Sequence, residues 1–174
     1  MAAERAPDRR AEMINPGKIV KNRKAIQRLV RGIFPLVIAT HGVIVHAEDE
    51  VSLFDGNGKA QAYIAVDDEM TIYMWSGKPV AYLKKGTGND GYNVYGFNGK
   101  HLGWFTHGAN YGHDGKASCA TAQVMASGTQ TQPFKSFKQF KPFKAFTEYA
   151  PFQPYLAAKF GDTSCNFLLS EGAK

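Results

Sequence analysis

Three histidines recur every six residues in the middle of this 174-residue chain: His101, His107 and His113, with Asn110 and Asp114 nearby. Imidazoles on neighbouring strands have the ligand type that zinc, copper and nickel favour. Histidines of this kind more often sit satisfied in hairpins and turns, so no metal site and no cofactor is assigned. Residues 86–91 spell Gly-Thr-Gly-Asn-Asp-Gly, a literal GxGxxG. A dinucleotide site needs that loop between a strand and a helix. Here two lysines precede it and a tyrosine-rich strand follows, so no helix is there to receive a pyrophosphate. The chain holds no HExxH pair, nucleophile elbow or cysteine–histidine signature. Its carboxylates cluster at 48–50 and 67–69, which read as a solvated flank and a solvated loop. The expectation is that the protein is not an enzyme.

The elements that must position these groups announce themselves by repetition. Asn57-Gly58-Lys59, Ser76-Gly77-Lys78, Asn98-Gly99-Lys100 and Asp114-Gly115-Lys116 are each followed by a strand-like run: AQAYIAV, PVAYL, HLGWF and ASCATA. Glycine accepts positive φ cheaply, so such dipeptides turn hairpins. The turn glycines are 19, 22 and 16 residues apart, and an aromatic (Phe54, Trp75, Phe97, Tyr111) precedes each turn. A lone hairpin is marginal in water, so the units must share a core. The expected core residues are Tyr63, Ile72, Tyr73, Trp75, Tyr82, Val94, Tyr95, Leu102, Trp104 and Phe105. The fold class is all-β: repeated hairpins in a pseudo-four-fold arrangement.

The run IYMWSGKPVAYL, then VYGFNGKHLGWF, then HDGK and a Pro-Phe-Lys triplet tract, resembles the bacterial four-fold β-flower proteins over residues 51–167. The resemblance implies an all-β domain of pseudo-symmetric hairpin petals and implies no activity. Family members often carry Leu where this chain has Phe in the triplets, which makes this tract unusually aromatic.

Charge divides the chain. Residues 1–47 hold nine Lys or Arg against three acids, whereas residues 48–174 hold twelve of each sign. The net charge of +6 therefore belongs to the N-terminal segment, and no Arg follows Arg31. Nucleic-acid binding by the body is not expected unless that leader is retained. Residues 18–31 are basic, residues 33–45 are largely apolar, and Val45-His46-Ala47 offers small residues for cleavage before an acidic flank. This is the order of a secretory signal. His41 and Gly42 interrupt the apolar run, and a start at Met13 would give a more ordinary length. The competing reading is a basic amphipathic helix followed by a buried strand. The apolar run is too short to span a bilayer, so the mature chain has no expected transmembrane span. The expected location is periplasmic, cell-surface or secreted. Cys119 and Cys165 are the only cysteines. If exported, they would pair and staple the fourth hairpin to the C-terminal segment; if cytosolic, they would be two buried thiols.

The chain thus divides into a leader (1–47), a hairpin-repeat domain (48–128) and a C-terminal segment (129–174). Within the last, residues 133–156 parse into eight triplets: PFK, SFK, QFK, PFK, AFT, EYA, PFQ and PYL. An aromatic is central in each, and Lys135, Lys138, Lys141 and Lys144 close the first four. A polyproline II backbone has three residues per turn and would stack the rings in one row, whereas a helix or strand would scatter them. The expectation is an extended strap with an aromatic edge (Phe134, Phe137, Phe140, Phe143 and onward) and a basic edge. Such a row belongs against the hairpins or against copies of itself. Its other reading is a platform for an anionic polymer or single-stranded nucleic acid. Two roles follow: an exported structural module that forms homo-oligomers through the strap, or a binder of envelope polymers or sugars. The second would use Trp75, Tyr82, Trp104 and Tyr111 as its aromatic faces, provided they line a groove.

Overall fold

Each of the four Gly-Lys turns closes with the same bonds. The glycine N–H donates to the carbonyl three residues back, Gly58 to Asp55, Gly77 to Met74, Gly99 to Gly96 and Gly115 to Gly112, at 2.8–3.0 Å. The lysine carbonyl accepts from the N–H of that same earlier residue. All four glycines have φ between 71° and 85°, where a β-carbon is strained. In three turns a carboxylate or amide fixes the loop: Asp55 Oδ1, Asn98 Oδ1 and Asp114 Oδ1 accept from Lys59, Lys100 and Lys116 N–H.

The computed structural model describes residues 49–86 and 91–174. The leader expected at 1–47, with its signal peptide, and the centre of the glycine-rich loop (87–90) lie outside the described residues. Eight antiparallel strands follow one another: β1 (Glu50–Phe54), β2 (Ala60–Ala65), β3 (Thr71–Met74), β4 (Pro79–Lys85), β5 (Tyr92–Gly96), β6 (His101–Thr106), β7 (Ala109–Tyr111) and β8 (Lys116–Ala120). Each pairs with the next, and β1 also pairs with β8 through Phe54 and Ala120, closing a barrel-like ring. The turns join β1–β2, β3–β4, β5–β6 and β7–β8, and each of these four hairpins carries a register shift at the residue pair before its turn. The pseudo-four-fold repeat is therefore internal to one chain and extends to its irregularities.

The C-terminal residues complete the barrel. β9 (Ala157–Phe160) lies parallel to β8, and the helix α1 (Cys165–Ser170) packs on β2, β4 and β8. Ser164 caps α1, its Oγ accepting from Phe167 N–H at 3.2 Å. Leu169 and Cys165 are fully buried beside Leu53, Ile64, Ile72, Val80 and Val94. Cys119 and Cys165 form a disulfide that joins β8 to α1. The hairpins and the C-terminal segment form one compact unit.

The expected core divides between two faces. Ile72, Val94 and Leu102 belong to the aliphatic interior, with Phe105 packed on it. The rings alternate to the opposite face: Tyr63, Tyr73 and Trp75 form one cluster, and Tyr82, Tyr95 and Phe97 another. Period-two alternation explains the division, since Tyr63 pairs with Tyr73 and the next register pair is Ile64 with Ile72.

Candidate functional site

The triplet segment reaches the body at the turns. Residues 128–156 form neither helix nor strand. The N–H groups of Gln130, Gln139, Glu148 and Ala157 donate to the carbonyls of Gly58, Gly77, Gly99 and Gly115 at 2.8–3.0 Å. Those four donors are nine residues apart, so three triplets carry the chain from one hairpin to the next. Ser136 and Ala145, also nine apart, donate to Trp75 and Phe97 carbonyls. The approach is close enough to require glycine on the other side. A β-carbon at Gly58, Gly77, Gly99 or Gly115 would lie 2.6, 1.9, 2.1 or 2.3 Å from the carbonyl oxygen of residue 128, 137, 146 or 155. The turn glycines therefore serve twice, for positive φ and as docking positions for a second backbone.

This register sends the lysines inward. Lys135 and Lys138 pair with Glu50, the second at 3.1 Å. Lys141 donates to Asp68 at 2.5 Å and Lys144 to Glu69 at 2.6 Å. Three of these lysines also lie on the outer aromatic clusters, Lys138 over Tyr73, Lys135 Nζ 4.5 Å from the Tyr63 ring centre and Lys144 Nζ 4.5 Å from Tyr82. Partial burial is the largest influence on Asp68 and pushes its pKa up. The bonds from Lys141 and the Tyr73 hydroxyl, with the nearby lysine charges, outweigh it, and the net shift is downward. Lys144 likewise holds Glu69 below its ordinary value.

The aromatic side chains point the other way. Phe134, Phe137, Phe140, Phe143, Phe146, Tyr149, Phe152 and Tyr155 are each at least 92% exposed. Two expectations change accordingly. The rings do not lie on the hairpins: the lysines of the first four triplets are turned toward the body, and all eight rings point away from it. The basic edge is not bare: Glu50, Asp68 and Glu69 lie against Lys135, Lys138, Lys141 and Lys144. Those carboxylates, read from sequence as solvated, are the residues that sequence reasoning missed. The signal was present in the excess of acids over lysines in residues 48–132, nine against six, matched by the reverse excess in 133–174.

The other sequence-selected rings are packed into the body. Trp75 is half-buried, edge-on to Tyr63, and its Nε1 donates to the Pro133 carbonyl at 3.1 Å. Tyr82 packs on Tyr95 and Phe97. Trp104 sits against His101 and His113, and Tyr111 against Phe54, Ala109 and Ala117. Tyr82, Trp104 and Tyr111 are 6–8% exposed; Tyr82 and Trp104 belong to one train of rings through Tyr95 and His101, and Trp75 packs on the cluster that holds Tyr111. Buried at this level, Tyr82, Trp104 and Tyr111 leave little face on which a sugar ring could stack.

Two of the three histidines do meet. His101 Nδ1 and His113 Nε2 are 2.9 Å apart, and His101 Nε2 lies 3.2 Å from Asn93 Oδ1. The arrangement that satisfies all three puts the His101 proton on Nε2, leaving Nδ1 to accept from His113. Glu148 Oε1 accepts from the His101 backbone N–H at 2.6 Å, tying this hairpin to the triplet segment. Burial, first, and the neighbouring His113, second, lower the His101 pKa to about 4, against an upward pull from Glu148. His107 stands apart on an exposed turn at φ 49°. Among the described residues no group of three or more His, Cys, Asp or Glu is placed to hold a metal ion. Also among them, no helix is long and apolar enough to cross a membrane.

No curated protein and no solved structure matches the chain. The family model described as 4-fold beta flower protein matches residues 51–169, the span from the first hairpin to the C-terminal helix. Four equivalent hairpins closed into a ring, with the match covering most of the chain, give the conclusion: this protein belongs to the 4-fold beta flower family.

Proposed function

We propose that this protein is a non-enzymatic structural or assembly module, exported from the cytoplasm, that self-associates through the aromatic edge of its triplet segment. One observation carries the reading: eight consecutive triplet aromatics stand at least 92% exposed while the lysines beside them are turned inward. Soluble proteins rarely leave so large an apolar row in water. An aromatic side chain offers about 150–250 Å² of burial, so eight offer roughly 1,200–2,000 Å². Each partner contributes about 800 Å² to a stable interface, so part of the row suffices for one. The partner favoured is a second copy of the chain, because residues 48–174 carry equal numbers of acids and lysines and do not repel one another by net charge. Export is supported by the charge and apolar order of residues 18–47 and by the disulfide, which persists in oxidising compartments. The alternative, a polymer-binding or sugar-binding module, has less support because three of its four aromatic faces are buried and its lysines paired.

Sedimentation velocity tests the reading. The full chain at micromolar concentration is expected to sediment as oligomers. A variant carrying Phe137→Ser, Phe140→Ser, Phe143→Ser and Phe146→Ser is expected to sediment as a smaller species with unchanged thermal stability, since those rings touch little of their own chain. A wild-type monomer at all concentrations would refute self-association.

A further inference from the structure

The aromatic edge does not face one way. The ring of eight strands places the β3–β4 hairpin opposite the β7–β8 hairpin, with one hairpin between them on either side. The triplet segment docks at Gly77 in the first of these and at Gly115 in the second, passing Gly99 on the way. Phe137 and Phe140 therefore flank one side of the barrel, and Phe152 and Tyr155 the other, all at least 92% exposed. A two-fold dimer buries the same patch of both copies and covers one side of each. It would leave the rings of the far side in water, with the same tendency to associate.

Resting on the self-association reading, we infer that assembly is open-ended: each chain uses the aromatic arcs at separate hairpins to engage separate copies, building an array and not a closed dimer. The nine-residue register makes the arcs alike, since each docks at a turn glycine in the same way and presents two or three rings outward. Like patches on opposite sides of one body give contacts that do not close on themselves, and growth then continues with concentration.

The test is sedimentation velocity and negative-stain electron microscopy of the full chain over a hundredfold concentration range. Wild type is expected to grow past the dimer, with regular arrays visible. A variant with Phe137→Ser and Phe140→Ser, which blanks one side and keeps the other, is expected to stop at a dimer. Wild type that stops at a dimer, or a one-sided variant that grows as far as wild type, would overturn open assembly while leaving self-association standing. A wild-type monomer would overturn both. Thermal unfolding of the variant, expected to match wild type, separates a lost contact from a lost fold.

Discussion

His101 is held as a neutral imidazole, 2% exposed, between the rings of Tyr95 and Trp104 with His113 stacked beside it. A proton on Nδ1 would break the bond to His113 and add a charge inside an aromatic cluster. The unfolded chain takes that proton near pH 6.5, whereas the folded chain resists it until about pH 4. The unfolded state therefore binds more protons between these values, and stability falls as pH drops from 6.5 to 4, then levels off. The loss expected from this group is about 2–3 kcal/mol. Urea unfolding at pH 7 and pH 4.5 should show a larger difference in wild type than in His101→Gln. Equal differences would remove His101 as the cause. The sequence showed the six-residue recurrence of His101, His107 and His113 but not which two would meet. That depends on the β6–β7 turn, which takes His107 away at positive φ. The lysine partners were harder still, because Glu50 and Asp68 lie 85 and 73 residues from Lys135 and Lys141.

Among the elements, the turns were legible and the C-terminal helix was not. Asn-Gly, Ser-Gly and Asp-Gly followed by Lys mark hairpins through backbone chemistry that acts within four residues, and the structure has them where they were expected. α1 is only six residues long and has no apolar periodicity to announce it. Its place is set by tertiary contacts: Leu169 in the barrel interior, and Gly172 so close to Val80 and Gly96 that a β-carbon there would meet backbone at 2.4–2.6 Å. The Cys119–Cys165 bridge closes a loop of 46 residues that contains the whole triplet segment. In the chain-entropy picture such a bridge contributes on the order of 3–4 kcal/mol. Replacing both cysteines by serine should lower the unfolding free energy by about that amount and the melting temperature by roughly 10–20 °C. Calorimetry under oxidising conditions measures it. A change under 1 kcal/mol would mean that α1 is held by packing alone.

At the largest scale, the described residues form a nested set of layers. Aliphatic side chains fill the ring, aromatic clusters line its outer face, lysines of the triplet segment lie across those clusters, and a row of rings forms the outermost edge. Period two in the strands and period three in the triplets were both visible in the sequence. Their combination was not, because four hairpins and one tract of triplets share a register only through the closed ring, at one hairpin per nine residues. Everything proposed about assembly depends on that register, since it turns lysine inward and phenylalanine outward. Amide hydrogen exchange on dilute full-length protein measures it most directly. The amides of Gln130, Gln139, Glu148 and Ala157 should be protected at nine-residue intervals, with Ser136 and Ala145 slowed as well, while Phe140 and Phe143 exchange near the rate of an open chain. Uniformly fast exchange from 130 to 157 would mean that the segment is not docked on the turns, and the layered arrangement would be wrong.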